Sequence, residues 1–328
     1  GGNQRHTTYN FNRGNTSGGL VVPGVYNLLN SAELALTNDF TEEKQVNSVF
    51  GSVSFDVVDM LFLEATVRND WSSTLPEDNN SYFYPSASAS FVFSELLTNL
   101  PWLNLGKLRF GWAQVGNDTD PYNVKTTYLY NGDGPFQNAP RLRASRALLN
   151  ANLLPETTTS TEVGFDLAVL NNRVSTSLTY FNNVTTDQIM PLDVSKATGY
   201  DTKFINAGKM TNKGIELSLG LVPVQVNNFQ WELVTNFTKV NNTLDELYQD
   251  LEALDIVRAP FGGVFLRASV GDTYGQLWGH DFIYDGDGNK VVGENGYWLQ
   301  TPDLVPMGSV LPDYTMGIRN SFKIMNAV

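Results

Sequence analysis

The chain has 328 residues, with 21 Lys and Arg against 34 Asp and Glu; a net charge of −13 argues against broad nucleic-acid contact, because phosphate binding needs a positive surface. Cysteine is absent and the only histidines are His6 and His280, which removes disulfide scaffolds, thiolate zinc sites and nearly all raw material for a Ser/His/Asp relay. With 41% hydrophobic and 17% charged residues the chain is too apolar to stay disordered, yet no window approaches the ~18 consecutive apolar residues of a spanning helix. Strands can still cross a bilayer at ~9–11 residues each, with a much weaker signal. The opening GGNQRHTTYN lacks the basic-then-apolar order of a signal peptide.

Segments rich in Val, Phe, Tyr, Thr and Leu are separated by clusters of Asn, Gly and Pro, the pattern of strands and turns. The apolar phase first runs Val49, Val53, Phe55 against Ser48, Ser52, Ser54 and Asp56, then Leu61, Leu63, Ala65, Val67 against Glu64, Thr66, Arg68 and Asp70. It returns as Phe83, Ala87, Ala89, Phe91, Phe93 against Ser86, Ser88, Ser90 and Ser94, and as Leu108, Phe110, Trp112 against Lys107 and Arg109. Val163, Phe165, Leu167 and Val169 oppose Glu162 and Asp166; Val174, Leu178 and Tyr180 oppose Ser175, Ser177 and Thr179. Ile215, Leu217, Leu219 and Leu221 oppose Glu216 and Ser218, and Phe229, Trp231 and Leu233 oppose Gln230 and Glu232. Last come Tyr314, Met316, Ile318, Phe322 and Ile324 against Thr315, Arg319, Ser321 and Lys323. One helix is predicted, at 243–255 (TLDELYQDLEALD), where leucines recur at three- and four-residue spacing behind a Thr cap.

Alternation fits any two-faced antiparallel sheet, so the connections decide. Links 57–59, 170–172 and 222–228 are short and 95–105 is modest, whereas 73–82, 117–157, 186–209 and 242–268 are mostly long. Such an order belongs to an up-and-down barrel with tight turns at one end and large loops at the other; Greek-key links would scatter their long connections. Aromatics such as Trp71, Phe83, Trp102 and Trp112 sit where interfacial girdles belong. The sequence therefore reads as all-β, about ten strands of a membrane barrel, with a soluble β-rich carbohydrate-binding protein as the alternative.

Specific strings sharpen this. RNDWSSTLP (68–76), NSYFYPSASAS (80–90) and GKLRFGWAQVGNDTDPY (106–122) come first; LPE, TEVGFDL, NRVSTSLTYFNNVTTDQ, ATGY, NAGKMTNKGIEL and LPDYTMGIRN follow in order. Together, from about Val46 to the end, they resemble the SusC-like (SusC/RagA) family of TonB-dependent outer-membrane transporters. The resemblance implies part of a large antiparallel transmembrane barrel of about 22 strands with long extracellular loops. Residues 1–328 are then its middle-to-C-terminal part, with an N-terminal plug domain and the last strands expected outside this chain. It further implies a Gram-negative outer membrane, a SusD-like surface lipoprotein and TonB acting through the plug as partners, import of oligosaccharides or peptides, and neither catalysis nor a cofactor.

In a barrel the polar series Glu64, Arg68, Asp70, Lys107, Arg109, Glu162, Asp166, Glu216, Glu232, Arg319 and Lys323 faces the lumen, more as a solvated, ion-paired wall than as direct substrate contacts. Trp71 reads as an interfacial anchor rather than a sugar platform. Loop aromatics Tyr122, Tyr128, Tyr130, Phe136, Tyr274, Trp278, Tyr284, Tyr297 and Trp298 are candidates for substrate stacking, although singly such residues mostly pack loops. Asp285, Asp287 and Asn289 in DGDGN resemble the start of a calcium loop but depart from it at Lys290 and Gly296, so a turn on two Asp-Gly pairs is expected. His280 is expected to make a loop hydrogen bond.

Overall fold

The computed structural model describes residues 1–130, 137, 139–249, 251–260 and 262–324, with Leu36 and Tyr130 by backbone alone. A ten-stranded sheet dominates it: β1 (Gly2–Leu20), β2 (Ser31–Val57), β3 (Leu61–Ser72), β4 (Ser81–Val92), β5 (Leu103–Asn117), β6 (Glu156–Val169), β7 (Val174–Thr186), β8 (Lys209–Val226), β9 (Phe229–Glu246) and β10 (Thr315–Ile324). Every strand pairs antiparallel with its neighbour in this order, and the sheet is open, with β1 and β10 at its edges.

Because side chains alternate between faces, register turns the sequence pattern into continuous rows. One row runs Val57, Leu61, Phe91, Leu108, Phe165, Leu178, Leu217, Phe237, Met316 across nine strands. A second runs Phe55, Leu63, Ala89, Phe110, Val163, Tyr180, Ile215. No member of these rows is buried and most are exposed: Phe55 is 61% exposed, Phe110 47% and Met316 55%. On the opposite face Ser48, Asp70 and Ser72 are buried. A soluble sheet covers its apolar face with a second layer; here the apolar face is the open one, and the soluble alternative finds no support.

The links alternate as expected: 58–60, 93–102, 170–173 and 227–228 lie at one end, and 21–30, 73–80, 118–155, 187–208 and 247–314 at the other. At the tight link 170–173, Asn171 and Asn172 take φ of 57° and 62°, a left-handed conformation that Asn tolerates. The link expected at 222–228 shrinks to 227–228, because β8 continues past a bulge between Leu221 and Val224. Phe93, expected within the strand, falls in a 3-10 turn after Val92; its ring lies over Gly106, where a Cβ would collide with it, and stacks on Phe165 at 6.3 Å. The last long connection also reaches Thr315 instead of ending near Ala268.

The long connections hold the hydrophobic clusters. Ile189–Asp193 pairs with Thr202–Asn206, which in turn pairs with Ala147–Leu148. Ala253–Arg258, Val264–Ser269, Gln276–Gly279 and Val305–Ser309 form a four-stranded sheet. Leu192, Ile205 and Ala207 make one cluster, Leu244, Leu247 and Ala268 another, and Leu254 packs against both. This corrects the predicted helix at 243–255: Leu244 lies in the last residues of β9, Leu247 just beyond its end, and Leu254 on the returning strand Ala253–Arg258. Their helix-like spacing arises because two strand segments present leucines to one core.

Candidate functional site

Register places Glu64, Arg68, Asp70, Lys107, Arg109, Glu162, Asp166, Glu216, Glu232, Arg319 and Lys323 on the same face, opposite the apolar rows. Towards the long-link end, Arg68 Nε donates to Asp70 Oδ1 at 2.8 Å and Arg68 Nη2 to Ser48 Oγ at 2.8 Å. Tyr84 Oη donates to Asp70 Oδ2 at 2.5 Å, and the Phe50 ring centroid lies 5.8 Å from the guanidinium. Beside them Lys44 pairs with Asp118, which also accepts from Ser72 Oγ at 2.5 Å. These bonds satisfy carboxylates that are largely covered, which an unpaired charge could not tolerate.

A second node lies nearer the short-link end. Asp166 takes Arg109 in a two-pronged pair at 2.9 and 3.1 Å, Lys107 at 3.0 Å and the Ser177 hydroxyl at 2.7 Å. Arg109 Nη2 donates further to Thr179 Oγ1 at 3.1 Å, so one guanidinium ties β5, β6 and β7 together. Arg319 reaches Glu232 at 3.7 Å across β9 and β10. Glu64 stands opposite Ser54 and Ser88, Glu162 opposite Gly111 and Phe181, and Glu216 opposite Thr179 and Thr238. The sequence reading missed Lys44, Tyr84, Asp118 and Ser177 as partners; Lys44 and Tyr84 were reachable by continuing the polar phase of Ser48 and Ser86 towards the long links.

The loop aromatics occupy separate places. Tyr122, 60% exposed, accepts from the Glu43 amide at 3.3 Å, which moors loop 118–155 to β2. Tyr128 and Tyr130 lie in a ribbon, Tyr128–Tyr130 against Leu142–Ala144. Trp278 packs under Arg267, whose guanidinium sits 5.0 Å from the ring centroid, and Tyr274 packs on the Leu244 cluster. Trp298 meets Phe282 edge-on at 5.5 Å with Lys290 Nζ over both rings, while Tyr297 and Tyr284 remain exposed nearby. Phe136 lies outside the described residues.

At 285–289, Asp285 Oδ1 accepts from the amides of Asp287 at 3.0 Å and Asn289 at 2.8 Å, and Oδ2 from the Asn289 side chain. The Asn289 amide, with those of Asp287 and Gly288, holds the Asp285 carboxyl below the usual carboxylate range. The carboxylate is thus engaged by its own turn, and no group of three or more His, Asp or Glu among the described residues could hold a metal. His280 Nδ1 lies 2.8 Å from the Thr301 carbonyl.

Antiparallel strands in chain order, apolar rows left open on one face, paired charges on the other and short and long links in alternation define the wall of an outer-membrane type of β-barrel. Residues 1–322 match the family described as TonB dependent receptor-like, beta-barrel, and the chain belongs to it. It is 30% identical over 330 residues to TonB-dependent receptor P26 of Formosa agariphila, covering 92% of this chain and 33% of that protein. It is 24% identical to TonB-dependent receptor SusC of Bacteroides thetaiotaomicron, covering 90% and 31%. The fold also matches the RagAB peptide transporter with a TM-score of 0.78 at 19% identity, over 98% of this chain and 37% of that one. The family match thus extends ahead of Val46 to residue 1, and the chain spans about a third of the length of these curated relatives.

Proposed function

We propose that this chain forms wall and outer loops of a nutrient importer in the outer membrane of a Gram-negative bacterium, which takes up oligosaccharides or peptides too large for porins. The observation that carries the reading is the apolar face, whose rows cross up to nine strands with no buried member, while Arg68–Asp70, Asp166 with Lys107 and Arg109, and Glu232–Arg319 pair on the other face. On this reading the rows meet hydrocarbon, and Glu64, Arg68, Asp70, Lys107, Arg109, Glu162, Asp166, Glu216, Glu232 and Arg319 line a watery lumen. Further strands of the whole receptor join the edges at β1 and β10, since open edges in lipid leave backbone groups unpaired at several kcal/mol each.

Connections 118–155, 187–208 and 247–314 then form the outward mouth, where Tyr122, Tyr128, Tyr297 and Trp298 are offered to cargo, while Trp278 lies covered by Arg267. A SusD-like lipoprotein covers the mouth, and TonB acts through a plug belonging to the whole receptor. Likeness to SusC-like receptors supports oligosaccharide cargo, and the fold shared with a peptide transporter supports peptides. Uptake of labelled oligosaccharides and peptides by cells with and without the receptor tests this. Uptake of at least one class should vanish on deletion and on collapse of the proton gradient; uptake indifferent to both contradicts the proposal.

A further inference from the structure

We propose that a cavity of about 680 Å³ between the ribbon Ile189–Asp193/Thr202–Asn206 and the strand Ala253–Arg258 binds an aliphatic carboxylate, with Arg258 as the anchor of the acid group. The proposal rests on the importer reading above and gives one part of the receptor a ligand chemistry. A second cavity of about 360 Å³ shares Asp193, Leu254, Asp255 and Arg258 with the first, so the two are chambers around one charged septum. Both fall within the ~300–1,000 Å³ of ordinary small-ligand sites.

The lining sorts into an apolar floor and a cationic rim. Leu192, Ile205, Tyr248 and Leu254 supply the floor, with Leu192 and Ile205 buried. Such a floor favours an aliphatic body: sugar hydroxyls laid on it would lose water without gaining hydrogen bonds. At the rim, Lys203, Arg258 and Arg267 face Asp193 and Asp255, an excess of one positive charge in a chain whose net charge is −13.

The two arginines are not equivalent. Arg267 is committed: its Nε donates to Asp255 Oδ1 at 2.7 Å and its guanidinium stacks on Trp278. Arg258 meets the same carboxylate only at 3.5 Å; its side chain is 72% exposed and steadied by the Phe265 ring at 5.4 Å. Its planar fork is therefore oriented yet weakly partnered, and a carboxylate arriving over the floor can take it in two parallel hydrogen bonds. Lys203, lying over Tyr248 at 6.0 Å, adds a second positive charge to the rim. The end of a short peptide with an aliphatic last residue and a simple branched fatty acid share this chemistry.

Calorimetric titration of the full-length receptor in detergent tests it with four probes: N-acetyl-leucyl-leucine, its C-terminal amide, 4-methylpentanoate and maltohexaose. The free acid should bind, the amide about tenfold or more weaker, and Arg258→Gln should remove about the same factor for the acid alone. Competition by 4-methylpentanoate would assign the site to simple carboxylates, and its failure to compete would assign it to peptide ends. Equal binding of acid and amide, an unchanged affinity in Arg258→Gln, or displacement of the acid by maltohexaose would each overturn the proposal. Arg258 is solvent-facing, so the variant should keep the wild-type melting temperature, and Arg258→Lys should recover part of the affinity. Binding is read in vitro and import in cells, so failure of the importer reading leaves this result distinct.

Discussion

The wall and the connections 187–208 and 247–314 cover opposite kinds of side chain. In the wall Phe55, Phe110 and Met316 stand open while Asp70 and Ser72 are buried; in the connections Leu192, Ile205, Leu247 and Ala268 are buried while Asp285 and Lys290 stand open. The connections therefore fold as small water-soluble proteins do, on apolar clusters capped by polar turns. On the proposed reading the wall folds against hydrocarbon, where its apolar rows need no second layer and its charges keep to the inner face, paired or in water. On that reading one chain obeys both rules because its strands, 10 to 27 residues long, cross from one solvent to the other.

Reversing polarity on each side of that comparison is the strongest way to break it. Lys in place of Phe110, in the middle of an apolar row, should cost ~2–4 kcal/mol and abolish assembly, read as loss of the heat-modifiable band from outer membranes. Tyr128→Lys puts the same charge on a 74% exposed loop residue and should change stability by no more than ~0.5 kcal/mol. Equal behaviour of the two would dissolve the distinction. Leu244→Ala, at a site 1% exposed, should cost ~2–4 kcal/mol but only locally, exposing 247–314 to protease while the wall stays folded. Cooperative loss of the barrel would show instead that connections and wall are one unit.

Smaller changes sharpen the comparison. Asp166→Asn leaves Lys107 and Arg109 without their shared carboxylate and should lower unfolding stability by about 1–3 kcal/mol. Lys107→Met added to it should recover part of the loss, and an additive double variant would argue against coupling. The smallest effect is at the loop tip. The Asp285 carboxyl is depressed when folded, so its contribution is present above its unfolded value near ~4 and is lost as pH falls through the lower folded one. Exchange protection of the Asn289 amide should fall across that acidic range, and Asp285→Asn should flatten the dependence.

Legibility in the sequence followed the same division. The wall was readable because period two is local: Leu61 to Val67 or Val163 to Val169 declare both faces within one strand. β1 escaped because its residues, among them His6, Thr8, Asn10 and Asn12, present no apolar phase, and only pairing with β2 makes it a strand. The leucines between 243 and 255 misled because a three-and-four spacing also arises when two strands meet one core. The cavity was invisible for a related reason: Leu192, Lys203, Tyr248, Arg258 and Arg267 come from four separate stretches, and no local pattern joins them. Among the polar residues, the phase of Arg109 and Asp166 could be read in advance, whereas the choice of Ser177 and Thr179 as partners needed the register of β7.

The alternation itself can be measured residue by residue in the whole receptor, to which these 328 residues contribute no native cysteine. Single cysteines at Ser160, Glu162, Val163 and Phe165 of β6, probed in intact outer membranes, should divide by parity. Ser160→Cys and Glu162→Cys should react with a water-soluble maleimide, while fluorophores attached at Val163→Cys and Phe165→Cys should be quenched only by a lipid-borne quencher. Equal labelling of neighbouring positions, or quenching at 160 and 162 in place of 163 and 165, would contradict the account.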